Sequence, residues 1–273
     1  LDKDGFPAEE QIRKEYPHLT DRQVRCLGRL RWQMPERSEI ARPALLKNME
    51  SYSMTEEDLE KIEDYVAHRA PLIIHVHVEK YLEKIMADTH YRNQFETGFT
   101  SGSSNLDLRG GWERRMFKQS YQNECPPVER PKYGVMNLLN DNRGVNPCLY
   151  YGDSHFILAD HVRNRVSMTE QDSGNDNSTS ATPSHCCQIL KLLGQQEMKD
   201  ILEIATKGGR KDSAAYCYYK ELQIHGPIEL AKDIILFRVH EKYREKPEVV
   251  ELVEKFSEKF DIPVEWMDEA DKN

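Results

Sequence analysis

A run of alternating polar side chains near the end of the chain is the strongest candidate for chemistry. Glu221, Gln223 and His225 alternate with Leu222 and Ile224, and alternate residues of a β-strand point to the same face. A carboxylate, an amide and an imidazole would therefore share one face. Because carboxylates are rarely buried unless they are paired, this is either an edge strand with a solvated face or a strand that lines a cleft. The tyrosine-rich segment before it and the Gly-Pro turn after it favour the cleft.

Two histidines form a second candidate group. His75 and His77 lie two residues apart in the β-branched run 72–78, so on a strand they would point the same way. Metal-dependent hydrolases use this spacing. The sequence shows no spacing that links further ligands to the pair, and a lone strand histidine is more often a hydrogen-bonded structural group. A metal site therefore stays an alternative.

A third group is the hydroxyl-rich turn at 96–103. We interpret it as a strand end that passes into a Gly/Ser turn, which is a suitable place to hold a ribose or a phosphate. The turn does not fit the pattern G-x-x-x-x-G-K-[ST], so no Walker-type nucleotide site is predicted.

Residue patterns also predict the elements that position these groups. Residues 1–70 read as helices, with capping boxes that begin at Thr20 and at Thr55 and with Pro35 and Pro43 as interruptions. Gly110-Gly111 is expected to break the chain before a further helix, and 172–184 to be an exposed loop. Beyond residue 70 we predict strands at 72–78, 134–139, 148–151, 155–158, 166–169 and 216–224, and helices at 79–87, 112–121, 185–206, 229–243 and 247–260. This divides the 273 residues into a helical annex, 1–70, and a core, 71–273.

Composition excludes several classes of protein. The chain has 38 basic and 47 acidic residues, which gives a formal net charge of −9. Sequence-independent nucleic-acid binding needs an excess of Lys and Arg, so we predict no nucleic-acid partner. No apolar run reaches the roughly 18 residues of a membrane span and the start is unlike a signal peptide, so no membrane association is expected. The six cysteines form no C-x-x-C pair, which is typical of reduced thiols in the cytosol.

Five sequence motifs, taken together, resemble a known family. They are H-V-E-K at 77–80, Y-R-N-Q-F-E-T-G at 91–98, W-E at 112–113, E-R-P-K-Y-G at 129–134 and E-L-Q-I-H-G-P at 221–227. In this order they resemble the DUF3626 family over about residues 71–265. That family is similar to a divergent branch of the ADP-ribosyltransferases, and within it to the CteC-type bacterial effectors that modify ubiquitin on threonine.

The resemblance implies an α+β fold, with a split β-sheet core behind the N-terminal helical annex, and NAD as substrate. Glu221 would be the catalytic acid, which binds the 2′-hydroxyl of the nicotinamide ribose and stabilises an oxocarbenium-like transition state. His77 and Ser101 would complete the catalytic group, and Gln223 would face the acceptor. The implied NAD-binding residues are His77, Tyr91, Phe95, Thr97, Thr100, Ser101, Ser103 and Arg109, with Arg92 as a second candidate for the pyrophosphate.

Some positions depart from the family pattern. Val78-Glu79-Lys80 stands where a Pro-Asp-Arg run is expected, Thr100-Ser101-Gly102 where a Ser-Asn-Gly turn is expected, and Gln171-Asp172-Ser173 where a Gly-Asp-Ser box is expected. Lys80 keeps the charge of an arginine but not its two-pronged geometry. These departures leave Glu221 in place and weaken the assignment of the pyrophosphate site.

The sequence leaves three alternative functions open. The first is mono-ADP-ribosyl transfer from NAD to a protein acceptor, with a threonine of host ubiquitin as one candidate, by a monomeric cytosolic protein or a secreted effector that acts in the host cytosol. The second is a metal-dependent hydrolase built on His75 and His77. The third is a non-catalytic interaction module.

Overall fold

Three helices open the computed structural model, which describes residues 8–98, 105–122, 124–174 and 179–270. They are α1 (Glu9–Glu15), α2 (Asp21–Ser51) and α3 (Glu56–His68). As predicted, Gln23 accepts a hydrogen bond from the Thr20 backbone N–H at 3.1 Å at the start of α2. The Thr55 backbone N–H and side chain form the reciprocal pair with Asp58 at the start of α3. The chain therefore begins as the helical segment that its capping residues indicate.

An eight-stranded sheet follows these helices. Its order is β5-β4-β6-β2-β1-β3-β7-β8, and all neighbours are antiparallel except β7 and β8. The predicted α+β class with an N-terminal helical annex is thus confirmed. The strands are β1 (Leu72–Val76), β2 (Lys132–Met136), β3 (Ser154–Leu158), β4 (Val166–Thr169), β5 (Ser180–Ala181), β6 (Lys220–Ile224), β7 (Ile234–Val239) and β8 (Val264–Trp266).

Helices connect and cover the strands. The two that border the cavity described below are α4 and α6, and α8 and α10 carry further apolar faces into the core. No helix among the described residues has the length and apolar character that a membrane span requires. The helices are α4 (Val78–Met86), α5 (Gln94–Thr97), α6 (Leu106–Phe117), α7 (Cys187–Leu190), α8 (Gln195–Lys207), α9 (Leu230–Asp233), α10 (Pro247–Phe260) and α11 (Met267–Ala270).

The sheet divides between its two central strands. β1 and β2 pair at Leu72–Met136 and Ile73–Val135, after which β1 continues along β3 and β2 continues along β6. Directly beyond the last common pair the strands are so close that a Cβ on Gly134 would lie 2.6 Å from the carbonyl oxygen of Ile73. A glycine is required there because no side chain fits in that space. The sheet therefore forks, and the space inside the fork is open to other elements.

The N-terminal helices share the core of the sheet. Leu45 of α2 and Ile62 of α3 belong to the same buried cluster as Phe156 of β3 and Leu222 of β6. A second, smaller core joins α1 and the first half of α2 to Phe117 and its neighbours. Helix α2 thus connects two cores. The boundary at residue 70/71 stays a prediction.

The expected helix breakers do not break their helices. Helix α2 continues through Pro35 and Pro43, and α6 runs through Gly110-Gly111 after Asn105 caps its start by accepting from the Leu108 N–H at 3.1 Å. A glycine costs a helix about 1 kcal/mol and a proline about 3 kcal/mol. In α2, burial of apolar side chains such as Leu30, Met34 and Leu45 outweighs those costs.

Several short apolar runs adopt a different structure from the predicted one. The predicted strand at 148–151 is a 3₁₀ helix that begins near Pro147, and the predicted helix at 229–243 contains α9 and β7. The predicted helix at 185–206 is divided into α7 and α8. The predicted strand end at 96–98 is the end of α5, closed by Gly98 at a φ of 71°, and the loop at 172–184 includes β5. Short apolar runs do not distinguish a strand from a helix by periodicity.

Candidate active site

A cavity of about 750 Å³ occupies the fork of the sheet. β1 and β2 form its floor at the point of divergence, β6 contributes Glu221, and α4 and α6 border it together with the segment 87–97. This volume is within the range of small-molecule and cofactor sites, which is roughly 300–1,000 Å³. The cleft interpretation of the E-x-Q-x-H strand is therefore correct at Glu221.

Glu221 is the most deeply buried of the carboxylates that line this cavity. Its side chain is 9% exposed, and burial raises its pKa to about 7, with the charge of Asp172 adding to the rise. Hydrogen bonds from Ser173 and Gln223 act in the opposite direction and favour the ionised form. The carboxyl group is therefore poised between its two protonation states near neutral pH.

A second acidic side chain stands beside it. Asp172 lines the same cavity and accepts hydrogen bonds from the Gly174 N–H at 2.7 Å and from the Tyr219 hydroxyl at 3.3 Å. Tyr151 and Tyr219 line this end of the cavity as well. The carboxyl groups of Glu221 and Asp172 and the phenol rings of Tyr151 and Tyr219 thus line the same end of the cavity.

The wall formed by α6 and β2 is aromatic and cationic. The Arg109 guanidinium lies 5.8 Å from the ring centroid of Trp112 and 6.0 Å from that of Tyr133. Behind this wall the Tyr133 hydroxyl donates to Glu113 at 3.0 Å, and Glu113 also pairs with Arg130. Burial raises the pKa of Glu113 to about 7 despite these partners. This arrangement fixes the Tyr133 ring, which lines the cavity.

The far end of the cavity is built by the segment before α5. Asn93 caps that helix by accepting from the N–H groups of Phe95 and Glu96 at 2.9 and 3.1 Å, and it donates to Pro127 O at 2.7 Å. Arg92 donates to both oxygens of Asp88, at 2.7 and 3.0 Å, and to Glu96 at 3.0 Å. Those acidic partners neutralise Arg92, which weakens it as a candidate for binding an anionic ligand.

The structure brings five of the predicted site residues to one cavity: Glu221, Tyr91, Arg92, Thr97 and Arg109. Phe95 lies outside the cavity lining, where its ring packs 4.4 Å from the Arg130 guanidinium. Thr100, Ser101 and Ser103 fall outside the described residues. Their assigned roles stay predictions.

His77 and Gln223 do not reach the cavity as expected. β1 ends at Val76, so His77 is the N-cap of α4, and its Nε2 lies 2.9 Å from Tyr150 O. Gln223 is fully buried and donates to Glu221 at 3.0 Å. A side chain without exposed surface cannot contact a macromolecular acceptor, so the acceptor-facing position predicted for Gln223 is corrected to a position behind Glu221.

His75 lines the cavity in place of His77, but both of its ring nitrogens are engaged. Nδ1 donates to Gly152 O at 2.7 Å and Nε2 accepts from the Val145 N–H at 3.1 Å. Burial lowers the pKa of His75 to about 4, so the ring is neutral and its single proton is on Nδ1. No group of three or more His, Cys, Asp or Glu side chains in the described part of the chain is arranged to hold a metal ion. The geometry of His75 therefore gives no support to the metal-dependent hydrolase.

Sequence reasoning missed several lining residues. Trp112 and Tyr133 were visible only as parts of motifs quoted for the family resemblance, and Asp172 and Ser173 only as a departure from one. No periodicity marks these positions, because the loops and helices that carry them meet the sheet only in the folded chain.

Comparison with known proteins supports the resemblance. The family model described as "Protein of unknown function (DUF3626)" matches residues 67–201. The matched range covers the strands β1 to β5 and part of α8, and it ends before β6. The DUF3626 match thus includes the fork of the sheet but not Glu221.

Two solved structures are similar to the chain at low identity. DarT from Thermus sp. 2.9, in complex with ADP-ribosylated ssDNA, is 11% identical with a TM-score of 0.41, and the match covers 71% of this chain and 92% of that one. DarTG from Thermosipho africanus, in complex with ADP-ribose, is 10% identical with a TM-score of 0.31, and the match covers 71% of this chain and 49% of that one. Among curated proteins, no sequence matches the chain.

One prediction about partners needs correction. We expected no nucleic-acid partner from the net charge of −9, yet the Thermus DarT structure is a complex with single-stranded DNA. Net charge describes the whole surface, whereas a ligand meets only one local part of it. Composition alone therefore does not exclude a nucleic-acid partner for this chain.

Proposed function

We propose that this protein is an NAD-dependent ADP-ribosyltransferase whose catalytic group is Glu221. The observation that carries the proposal is a buried carboxyl group with a pKa raised to about 7 on the wall of a cavity inside the forked sheet. Perturbed carboxyl groups in clefts are characteristic of catalytic sites. The ADP-ribosyltransferase resemblance of the sequence motifs assigns the same residue independently.

Glu221 would act on the glycosidic bond of the nicotinamide ribose. When nicotinamide leaves, positive charge develops on the ribose, and a carboxylate held next to it stabilises that charge. The ionised form is the active one, so turnover should rise as the pH increases through about 7, the pKa of Glu221. Asp172 lines the same end of the cavity and adds a second negative charge near the reacting ribose.

The remaining walls suit the rest of the substrate. Flat rings stack on aromatic side chains, and Trp112, Tyr133, Tyr91 and Tyr219 line the cavity. A diphosphate requires a cation, and guanidinium groups match phosphate oxygens in geometry. Arg109, on the α6 side, is positioned to supply it.

The finer proposal is that the acceptor is a protein, with a threonine of ubiquitin as the first candidate. The CteC-type resemblance supports it, and the net charge of −9 is compatible with an acceptor that has a basic surface. Because Thermus DarT binds ssDNA, single-stranded DNA is the necessary second acceptor in any test.

The test measures nicotinamide release and transfer of label from adenine-labelled NAD, with ubiquitin, a cell lysate or single-stranded DNA as acceptor. Glu221→Gln should reduce nicotinamide release by about 10²–10³-fold, the usual cost of removing one electrostatic catalytic group. Glu197→Gln is the matched control, because Glu197 is another partly buried carboxyl group but does not line the cavity. Its carboxylate pairs with the Lys220 ammonium at 3.8 Å.

The outcomes separate the proposals. Absence of nicotinamide release by the wild-type protein with every acceptor would refute the transferase and favour the non-catalytic interaction module. Label on DNA and not on protein would retain ADP-ribosyl transfer and reject the protein acceptor. Equal turnover by wild type and Glu221→Gln would remove Glu221 from the mechanism.

A further inference from the structure

A buried chain of hydrogen bonds lies behind Glu221, between side chains of the neighbouring strands β6 and β4. Gln223 Nε2 donates to Glu221 Oε1 at 3.0 Å and to Thr169 Oγ1 at 3.2 Å. Ser167 Oγ donates to Gln223 Oε1 at 3.0 Å. The register supports the chain, because Ser167 of β4 pairs directly with Gln223.

The side chains of His225 and Tyr121 extend this chain of hydrogen bonds. The Ser167 hydroxyl lies 3.1 Å from His225 Nε2, and the Tyr121 hydroxyl lies 2.8 Å from His225 Nδ1. The His225 ring is fully buried, stacks on Tyr121 with an interplanar angle of 2° and meets Phe117 edge-on at 5.1 Å. The imidazole is therefore held in one orientation.

The direction of each hydrogen bond follows from counting protons. Burial is the largest cause that lowers the pKa of His225 to about 3, so its ring is neutral and has a single N–H. Since Ser167 uses its proton on Gln223, its oxygen accepts from His225 Nε2–H, and Nδ1 must then accept from the Tyr121 hydroxyl. Cys26 also contacts that hydroxyl and can serve as a donor to its oxygen. All donors therefore point towards Glu221.

We propose that Tyr121, His225 and Ser167 are positioning residues for Glu221, which act by fixing the amide of Gln223 with its NH₂ group towards the carboxylate. The catalytic meaning of this arrangement rests on the proposed function of Glu221. In the opposite amide orientation, the carbonyl oxygen of Gln223 would face the carboxylate and repel it. The proton on Nε2 of His225 favours the observed amide orientation, because it leaves the Ser167 proton for the carbonyl oxygen of Gln223.

The chain orients Glu221 and does not conduct protons. An amide NH₂ group does not release a proton near neutral pH, so Gln223 interrupts any relay between His225 and Glu221. Thr169 supports the same amide orientation, because its hydroxyl proton goes to Gln171 O at 2.7 Å and its oxygen is left to accept from Gln223. Two independent contacts therefore specify the position of the NH₂ group.

Tyr121→Phe tests the chain at its far end. Without the phenol, Nδ1 of His225 loses its donor, so the proton can move to Nδ1 and Nε2 can accept from Ser167. Ser167 then no longer holds the Gln223 carbonyl. We expect the ¹⁵N shifts of His225 to report the change of tautomer, the pKa of Glu221 measured by carboxyl ¹³C NMR to rise by about one unit, and kcat for nicotinamide release to fall about tenfold with KM for NAD unchanged.

Apart from Tyr121 itself, the charged and titratable groups around the two reporters, His225 and Glu221, stay constant between wild type and Tyr121→Phe. Around His225 they are Arg165, Arg29 and Lys132. Around Glu221 they are Asp172, Tyr133, Cys148, Tyr151 and Tyr219.

Two comparisons separate positioning from loss of structure. Tyr243→Phe removes another buried tyrosine hydroxyl, which donates to Asp153 at 3.1 Å outside the cavity, and it should leave the pKa of Glu221 and kcat unchanged. Ser167→Ala should reproduce the effects of Tyr121→Phe, and Ser167→Thr, which keeps the hydroxyl, should restore most of the wild-type values.

The pKa of Glu221 can be measured without turnover. The positioning role and the transferase function can therefore be refuted independently of each other. If a folded Tyr121→Phe protein keeps the wild-type pKa of Glu221, the positioning role is refuted whatever the activity. If the pKa moves and the wild-type protein releases no nicotinamide, the positioning role is retained and the transferase is refuted.

Discussion

At the scale of single residues, the burial of Glu221 destabilises its negative charge and also gives the carboxyl group a pKa suited to catalysis. Burial opposes its negative charge, and the donors Ser173 and Gln223 recover part of that cost. The sequence predicted the shared face of Glu221, Gln223 and His225 correctly, because strand alternation depends only on spacing. It could not predict which of the three reaches the cavity, since that depends on β2 and β4 on either side.

The raised pKa of Glu221 predicts a pH-dependent loss of stability. The folded state holds this proton more tightly than the unfolded state, since the pKa is about 7 against an ordinary value of 4.5. Its stabilising contribution is fully present below pH 4.5 and is lost as the pH rises through 7, a change on the order of 3 kcal/mol. Glu221→Gln should therefore gain stability over wild type as the pH rises from 5 to 8.5, as measured by urea unfolding.

An exposed carboxyl group provides the comparison for that experiment. Glu60→Gln, on the solvent side of α3, should differ from wild type by the same amount at both pH values. A stability difference between Glu221→Gln and wild type that does not change with pH would show that the carboxyl group of Glu221 titrates normally in the folded protein.

At the scale of elements, local signals predicted some parts well and others poorly. The capping box of α3 and the strand at 166–169 were predicted correctly, because their determinants are adjacent in sequence. The strand β7 was predicted as helix, since its run I-I-L-F-R-V has no period that separates the two. The fork of the sheet had no local signal at all, because it arises from long-range pairing of β1 with β2 and β3.

Gly134 predicts how sensitive the fork is to a single methyl group. In Gly134→Ala the new Cβ would lie 2.6 Å from Ile73 O, so β1 and β2 must separate at the point where the cavity begins. We expect a loss of stability of about 1–3 kcal/mol, as for other overpacked sites, and weaker binding of NAD. Urea unfolding and calorimetric titration measure the two effects.

A stability control shows whether the two effects are linked. Thr55→Ala removes the oxygen that accepts from the Asp58 N–H at 3.2 Å and should cost about 1 kcal/mol without any change in NAD affinity. If Gly134→Ala bound NAD as tightly as Thr55→Ala does, the spacing of β1 and β2 would not determine the shape of the site.

At the scale of the whole molecule, the annex and the core are connected by more than the chain. The buried cluster that includes Leu45 and Ile62 continues without interruption into Phe156 and Leu222 of the sheet. The Arg163 guanidinium adds polar contacts, since it donates to Val66 O at 3.2 Å and to Ala70 O at 2.7 Å. The composition shift near residue 70 suggested a boundary, but composition does not reveal which apolar faces are packed together.

This shared core predicts that the annex and the sheet unfold together. The chain has three tryptophans, of which Trp32 lies on α2 and Trp266 on β8, at opposite ends of the element order. Two variants with one tryptophan each, Trp32 alone or Trp266 alone with phenylalanine at the other positions, report on the two parts separately. Because one cluster of buried side chains joins them, the urea midpoints of both variants should coincide with the midpoint from circular dichroism. A lower midpoint for Trp32, with the Trp266 signal still native, would show that residues 1–70 form a unit of their own and would support the division at residue 70/71. Coincident midpoints would instead mean that the helices of the annex are part of the scaffold that holds the fork open and Glu221 in place.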